Sequence, residues 1–198
     1  MVYRLDDLHQ QIKKCTECPL HKEALQAVPG ISPSPLDNID IMFIGEGPGE
    51  EEDKTGLPFV GRAGKLFQEV LVKLDATTNI YITNVVKHRP PQNRKPTQPE
   101  MQTCGLHFLL HEIDTISPKL IVCLGRTPAE YLMKTLEISH QGSLRGLRFS
   151  YMGTPVLCTW HPAYILRRED KLDELLEDLI KAQQLINTYT YKEQSTTV

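Results

Sequence analysis

The sequence lacks any long apolar stretch: its longest uncharged apolar run is Leu120–Leu124, against the roughly 20 residues that a membrane-spanning helix needs. It lacks a secretory leader pattern, because Leu5-Asp6-Asp7-Leu8 is acidic where such a leader carries a basic flank and an apolar core. It lacks an excess of charge, since 22 Lys and Arg face 25 Asp and Glu for a net charge of −3. No global basic field therefore advertises a nucleic-acid partner. It also lacks the cysteine pattern of a secreted disulfide scaffold, with five cysteines at uneven spacing. Together these absences point to a cytoplasmic protein without a membrane partner. What is present is ordinary globular composition, 40% hydrophobic and 24% charged over 198 residues. That excludes wholesale disorder, collagen and coiled coil, and suits one compact domain.

Hydrophobic periodicity alternates between two kinds of element. Leu5, Leu8 and Ile12 recur at helical spacing and run into a loop at Cys15. Pro29, Gly30, Pro33 and Pro35 mark residues 28–38 as an irregular connector. Ile39–Ile44, Ile80–Val86, Leu120–Leu124 and Pro155–Thr159 read as four buried strands. Between them, Ala63 to Leu74 carries one apolar helix face. Thr97 with Glu100 forms a capping box that opens a helix through about Ile113. Thr127 with Glu130 forms another, with Pro128 at the first helical position. A last amphipathic helix carries Leu172 to Ile186, and the polar tail 188–198 is expected to fray. The expected fold is α/β: a single domain over residues 1–187 with a central, mostly parallel four-stranded sheet flanked by helices. In such sheets the ligand crevice lies beyond the carboxyl ends of the strands. The loops 45–61, 84–99 and 160–168 should converge there.

Those loops carry the unusual chemistry. The first reads Gly45-Glu46-Gly47-Pro48-Gly49-Glu50-Glu51-Glu52-Asp53, then Gly56 to Gly64. Its glycines let main chain approach a ligand closely and point N–H groups into one cavity. It is not a phosphate-binding P-loop, because Gly64-Lys65 is followed by Leu66 rather than Ser or Thr. Phe59 serves either as core or as a platform on which a planar base stacks. Asn84, at a strand end, is either a local cap or a carboxamide that reads an amide or pyrimidine edge. His161, after the last strand, is either structural or a donor to developing negative charge. Lys87, Arg89, Arg94 and Lys95 crowd one loop, and Arg167 and Arg168 another; both sets suit phosphates. Cys15 and Cys18 stand at chelating distance, with Cys104 and His88 as further donors. On donor type alone, zinc is the default for such a set. Cys123 and Cys158 read as buried packing residues.

The ordered set of Gly45–Asp53, Leu57–Gly64, Thr83–Lys87, Arg89 to Arg94, Leu124-Gly125, His161–Arg167 and the cysteines resembles the family 4 uracil-DNA glycosylases. The likeness runs from about residue 10 to 187. It implies an enzyme of base excision repair that flips uracil out of DNA and hydrolyses its N-glycosidic bond. In that family's terms, Phe59 stacks on uracil and Asn84 reads its edge. Gly45, Gly47 and Gly49 line the pocket. Glu46 and Glu52 are the acids of the catalytic loop, and His161 stabilises the departing base. Arg62, Lys87, Arg89, Arg94 and Arg167 are expected on the DNA backbone. The resemblance also implies a [4Fe–4S] cluster tying the N-terminal helix to the 88–104 loop. Here His88 stands where the family usually has a third cysteine, which implies a Cys15, Cys18, His88 and Cys104 ligand set. Gly47 stands where the best-known branch of the superfamily has a catalytic Asp. These two departures keep open a non-catalytic or trapping binder of uracil-containing or abasic DNA. The Lys87-His88 pair is similar to a branch that crosslinks to abasic DNA, but that branch's inserted basic loop has no counterpart here, so crosslinking is not expected. A monomer is expected, and the tail is open to a replication-machinery partner.

Overall fold

Apolar runs that end in glycine or a polar residue become the strands of one sheet. The computed structural model describes residues 4–32, 38–74 and 77–195; Pro33 and Pro35 of the connector lie outside the described residues. In chain order the elements are α1 (Leu5–Lys13), β1 (Ile41–Gly45), α2 (Glu50–Thr55), α3 (Arg62–Leu71) and β2 (Ile80–Asn84). There follow α4 (Gln98–Cys104), α5 (Leu110–Ile116), β3 (Leu120–Leu124), α6 (Arg126–Thr135), β4 (Arg148–Tyr151), β5 (Thr154–Thr159), α7 (Pro162–Ile165) and α8 (Leu172–Ser195). The strands lie in the order β2-β1-β3-β5-β4. All neighbours are parallel except β4 and β5, which form an antiparallel hairpin.

The sheet therefore has five strands rather than the expected four. The four parallel strands are the four apolar runs, and β4 is an added edge. Its sequence, Arg148-Phe149-Ser150-Tyr151, is mostly solvent-accessible, so it gives no buried-strand signal. Met152 and Gly153 turn the hairpin with φ of 48° and 92°, the positive angles at both central positions that match strand twist.

Every residue of β1 and β3 is buried, as expected of strands covered on both faces. Side chains alternate between those faces. Met42, Ile44, Ile121 and Cys123 pack with Leu8, Ile12, Leu109 and Leu132 of α1, the turn before α5, and α6. Ile41, Phe43, Val122 and Leu124 pack on the other face with Phe67, Val70, Leu175 and Leu179 of α3 and α8. Cys123 and Cys158 are fully buried register partners on β3 and β5, in keeping with a packing role.

Thr97 and Glu100 form the expected capping box of α4. A π-helical segment, Gly105–Leu109, carries that helix on into α5, so it ends at Ile116. The second capping box does not form. The α6 helix begins at Arg126 after Gly125, and the Thr127 hydroxyl donates to Glu46 instead. Where the tail is expected to fray, α8 continues past Thr188 to Ser195; residues 196–198 of that tail lie outside the described residues. Among the described residues, no helix is long and apolar enough to cross a membrane.

Register brings the carboxyl ends of the strands level. Gly45 pairs with Asn84, and Leu124 with Thr159. The loops that follow all leave one edge of the sheet.

Candidate active site

A cavity of about 620 Å³ opens at that edge. Glu46, Gly47, Gly49, Glu52, Phe59, Arg62, Asn84, Arg94 and His161 all line it, so three separate loops do converge. Its lining begins at Glu46, directly after the last residue of β1. A side chain at Gly45 would run into Asn84 Oδ1 and the edge of the Phe59 ring. The carboxamide and the ring therefore meet over a bare stretch of main chain that only glycine allows. Asn84 is 2% exposed, and its Oδ1 is buried with no hydrogen-bond partner among the described residues. A buried acceptor left unsatisfied costs about 1–3 kcal/mol, so its place in a cavity wall marks it as waiting for a donor.

Phe59 is both core and wall. It is buried, and its ring lies 5.3 Å from that of Phe67 and 6.0 Å from His161, tilted 32° to the latter. Its φ is +56°, a left-handed conformation that costs a bulky residue on the order of 1–3 kcal/mol and concentrates at functional sites. Three features hold it there. Gln68 Nε2 donates to the Phe59 carbonyl at 3.1 Å. Gly64 leaves room for the Phe59 main chain, which any side chain at Gly64 would strike. The third is Glu52, whose Oε1 accepts from Val60 and Gly61 N–H at 2.9 and 2.7 Å while Oε2 accepts from Gly49 N–H at 3.1 Å. Glu52 thus clasps both halves of the glycine loop, and all three of these bonds are to main chain.

His161 leaves β5 as the N-cap of α7, and the Ala163 N–H donates to its Nδ1 at 3.1 Å. A neutral ring that accepts at Nδ1 carries its proton on Nε2. Burial is the main cause that holds its pKa down to about 4; nearby Arg167 acts in the same direction and Glu52 against it. The ring is therefore a neutral Nε2–H donor at the cavity wall near pH 7. Glu46 is oriented by Thr127, whose hydroxyl donates to Oε2.

The basic residues divide. Arg62 and Arg167 are exposed, and Arg89 is held by Asn93 Oδ1 at 2.8 Å. Arg94 grips Glu100 through two bonds of 2.8 and 2.7 Å, and this pairing holds the Glu100 carboxyl down to about 2. Lys87 is a correction to the expected DNA-binding set. It is fully buried, with Nζ 2.6 Å from Glu112 Oε2, and no phosphate reaches it there.

Three of the four expected metal donors gather beneath the same loops. Cys18 and Cys104 are buried and Cys15 is partly exposed. They lie close enough that Cys15 and Cys18 each push up the Cys104 thiol, which burial, the largest cause, raises to about 12. Main-chain N–H groups of Lys87 and Glu17 donate to the sulfurs of Cys104 and Cys15 at 3.2 and 3.5 Å, the kind of bond that tunes thiolates on iron–sulfur centres. His88 is buried beside Cys104's partner Lys87, but its ring faces His21 at 6.5 Å. Burial, then His21, lowers its pKa, while Asp53 opposes. Among the described residues no three such side chains already surround one point as a mononuclear site would. Thiols served by main-chain N–H donors have the donor chemistry that an iron–sulfur centre uses.

Thr127, Gln68 and Glu112 were not foreseen. Glu112 had a signal, because it shares the buried face of its helix with Phe108, Leu109 and Ile113, where a lone acid needs a partner. Thr127 and Gln68 had none.

A sequence profile of the Uracil DNA glycosylase superfamily matches residues 31–182. A type-4 uracil-DNA glycosylase of Thermotoga maritima is 44% identical over 188 residues, covering 92% of this chain and 94% of that protein. Those of Archaeoglobus fulgidus and Pyrobaculum aerophilum are 37% and 38% identical over 188 and 182 residues, spanning 91% and 88% of this chain and 92% and 91% of theirs.

Proposed function

The chain belongs to the uracil DNA glycosylase superfamily, and on that premise we propose that it excises uracil from DNA through the cavity lined by Phe59, Asn84 and His161. The observation that carries this reading is the partnerless, buried Asn84 Oδ1 beside the Phe59 ring. Uracil offers an N3–H to that oxygen and a C4 carbonyl to the amide N–H. Cytosine reverses both groups, so a fixed carboxamide rejects it.

A base inside a duplex is out of reach, and flipping it costs about a few kcal/mol. Stacking on Phe59, about 1–3 kcal/mol per base, and the bonds to Asn84 offset that cost. The N1–C1′ bond then breaks with its electron pair leaving on uracil. The Nε2–H of the neutral His161 ring donates a hydrogen bond to that negative charge and stabilises it without giving up its proton. Glu46, its Oε2 held by Thr127, favours the cationic sugar with its other oxygen. It also orients the water that adds at C1′ and releases a proton to solvent. Glu52 shapes the loop and takes no part at the reacting atoms. Arg62, Arg89, Arg94 and Arg167 grip the phosphates, and binding weakens with salt accordingly.

Cys15, Cys18 and Cys104 would hold a [4Fe–4S] cluster, with His88 as the fourth ligand after its ring turns from His21. When bound, the cluster supplies a rigid tie between the loop after α1 and the loop after β2. Histidine in such a set raises the reduction potential. Residues 1–187 act as one catalytic domain. The non-catalytic alternative has no support beyond Gly47 and His88, and the relatives speak against it. The test is incubation with uracil-containing oligonucleotide followed by alkali. Strand breaks beyond one per protein are expected; retention without breaks would refute the reading.

A further inference from the structure

Lys87 and Glu112 are both 0% exposed and lie directly behind the cavity wall. The ammonium uses all three of its donors: to Glu112 Oε2 at 2.6 Å, to Thr83 Oγ1 at 2.6 Å and to the main-chain carbonyl of Asn84 at 2.8 Å. Glu112 in turn accepts from the hydroxyls of Tyr81 and Thr83, each at 3.0 Å. His9 of α1 bonds the Tyr81 hydroxyl at 2.8 Å. The main chain of Lys87 is fixed as well, its N–H donating to Cys104 Sγ at 3.2 Å and its carbonyl accepting from Val28 N–H at 2.7 Å.

A buried ion pair of this kind contributes little net stability compared with apolar side chains of the same size. What it supplies is direction. The peptide carrying Asn84 is held on one side by β1 through Gly45 and on the other by the ammonium of Lys87. A carboxamide tells uracil from cytosine only while its oxygen and nitrogen keep their places. We infer that Lys87 and Glu112, linked by Thr83, are positioning residues that set uracil recognition by anchoring the Asn84 peptide. The inference rests on the proposed uracil pocket and deepens it, since it assigns base selectivity to a network that touches no substrate.

The experiment compares wild type with Lys87→Met, Glu112→Gln and Thr83→Val. Thr83→Val keeps side-chain shape and removes only the linking hydroxyl, so it reports even where the charge variants fail to fold. Three quantities are read: inhibition of excision by free uracil, affinity for a duplex carrying an abasic-site analogue, and melting temperature. The inhibition constant for uracil is expected to rise about tenfold, the scale of one hydrogen bond to a charged group, with duplex affinity unchanged. Glu112→Gln, which still accepts from Lys87, is expected to retain more uracil affinity than Lys87→Met. A lowered melting temperature with the uracil constant unchanged would overturn the inference, as would equal losses of uracil and duplex affinity. Wild type that neither excises nor is inhibited by uracil would instead sink the glycosylase reading itself.

Discussion

Replacing Glu52 with Gln separates a loop clasp from a reacting acid. In the native chain one carboxylate oxygen serves Val60 and Gly61 N–H, and the other serves Gly49 N–H. Glutamine has a single carbonyl oxygen. It keeps the first two bonds at best and turns its NH₂ toward the Gly49 N–H, leaving one donor unsatisfied at a cost of about 1–3 kcal/mol. At about 1.4 kcal/mol per factor of ten, the ordered loop becomes about fivefold to about 150-fold less favoured, and apparent affinity falls with the competent fraction. Uracil-DNA binding should weaken within that range and the melting temperature should drop. The single-turnover excision rate at saturating enzyme should stay near the wild-type value. His161 supplies a second check, because Glu52 raises its pKa and the variant should titrate still lower. An unchanged melting temperature with a collapsed single-turnover rate would refute the reasoning and make Glu52 a catalytic group.

Three further outcomes are expected. Phe59→Ala should cut excision by the value of the stacked base, about 1–3 kcal/mol or roughly five- to 150-fold, with duplex affinity nearly intact; parallel losses measured by fluorescence anisotropy and rate would make the ring purely structural. Nitrogen NMR should find His161 neutral, with its proton on Nε2, down to about pH 4. Since an unfolded histidine binds its proton near pH 6.5, the unfolded chain holds more protons between those values. Stability should therefore fall as pH drops through that window, and less so in His161→Asn; a midpoint near 6.5 in the folded protein would contradict this. Protein purified without oxygen should carry iron and acid-labile sulfide, as iron–sulfur proteins do, and a colourless zinc-loaded preparation would overturn the cluster.

Much of the architecture was legible because buried parallel strands are written as bounded apolar runs. Leu120–Leu124 has the same limits in sequence and structure. The β4 edge was not, since exposed Arg148 and Ser150 hide its pattern. The convergence of Gly45, Phe59, Asn84 and His161 followed from the rule that ligands gather at strand carboxyl ends. Long-range polar pairing is where reading by residue type failed. Lys87 reads as a surface cation until Glu112, 25 positions away, is found against it. Thr127 reads as a helix cap until Glu46, 81 positions away, claims its hydroxyl. The same Thr-x-x-Glu pattern does cap α4 at Thr97, where no distant acid among the described residues bonds its hydroxyl.

The most direct trial of the pocket is a crystal of this protein soaked with free uracil. The ring should lie against Phe59 with N3 at about 2.7–3.2 Å from Asn84 Oδ1 and O2 facing His161 Nε2. Uracil bound elsewhere, or Oδ1 turned to a protein donor while the base sits in the cavity, would contradict the account.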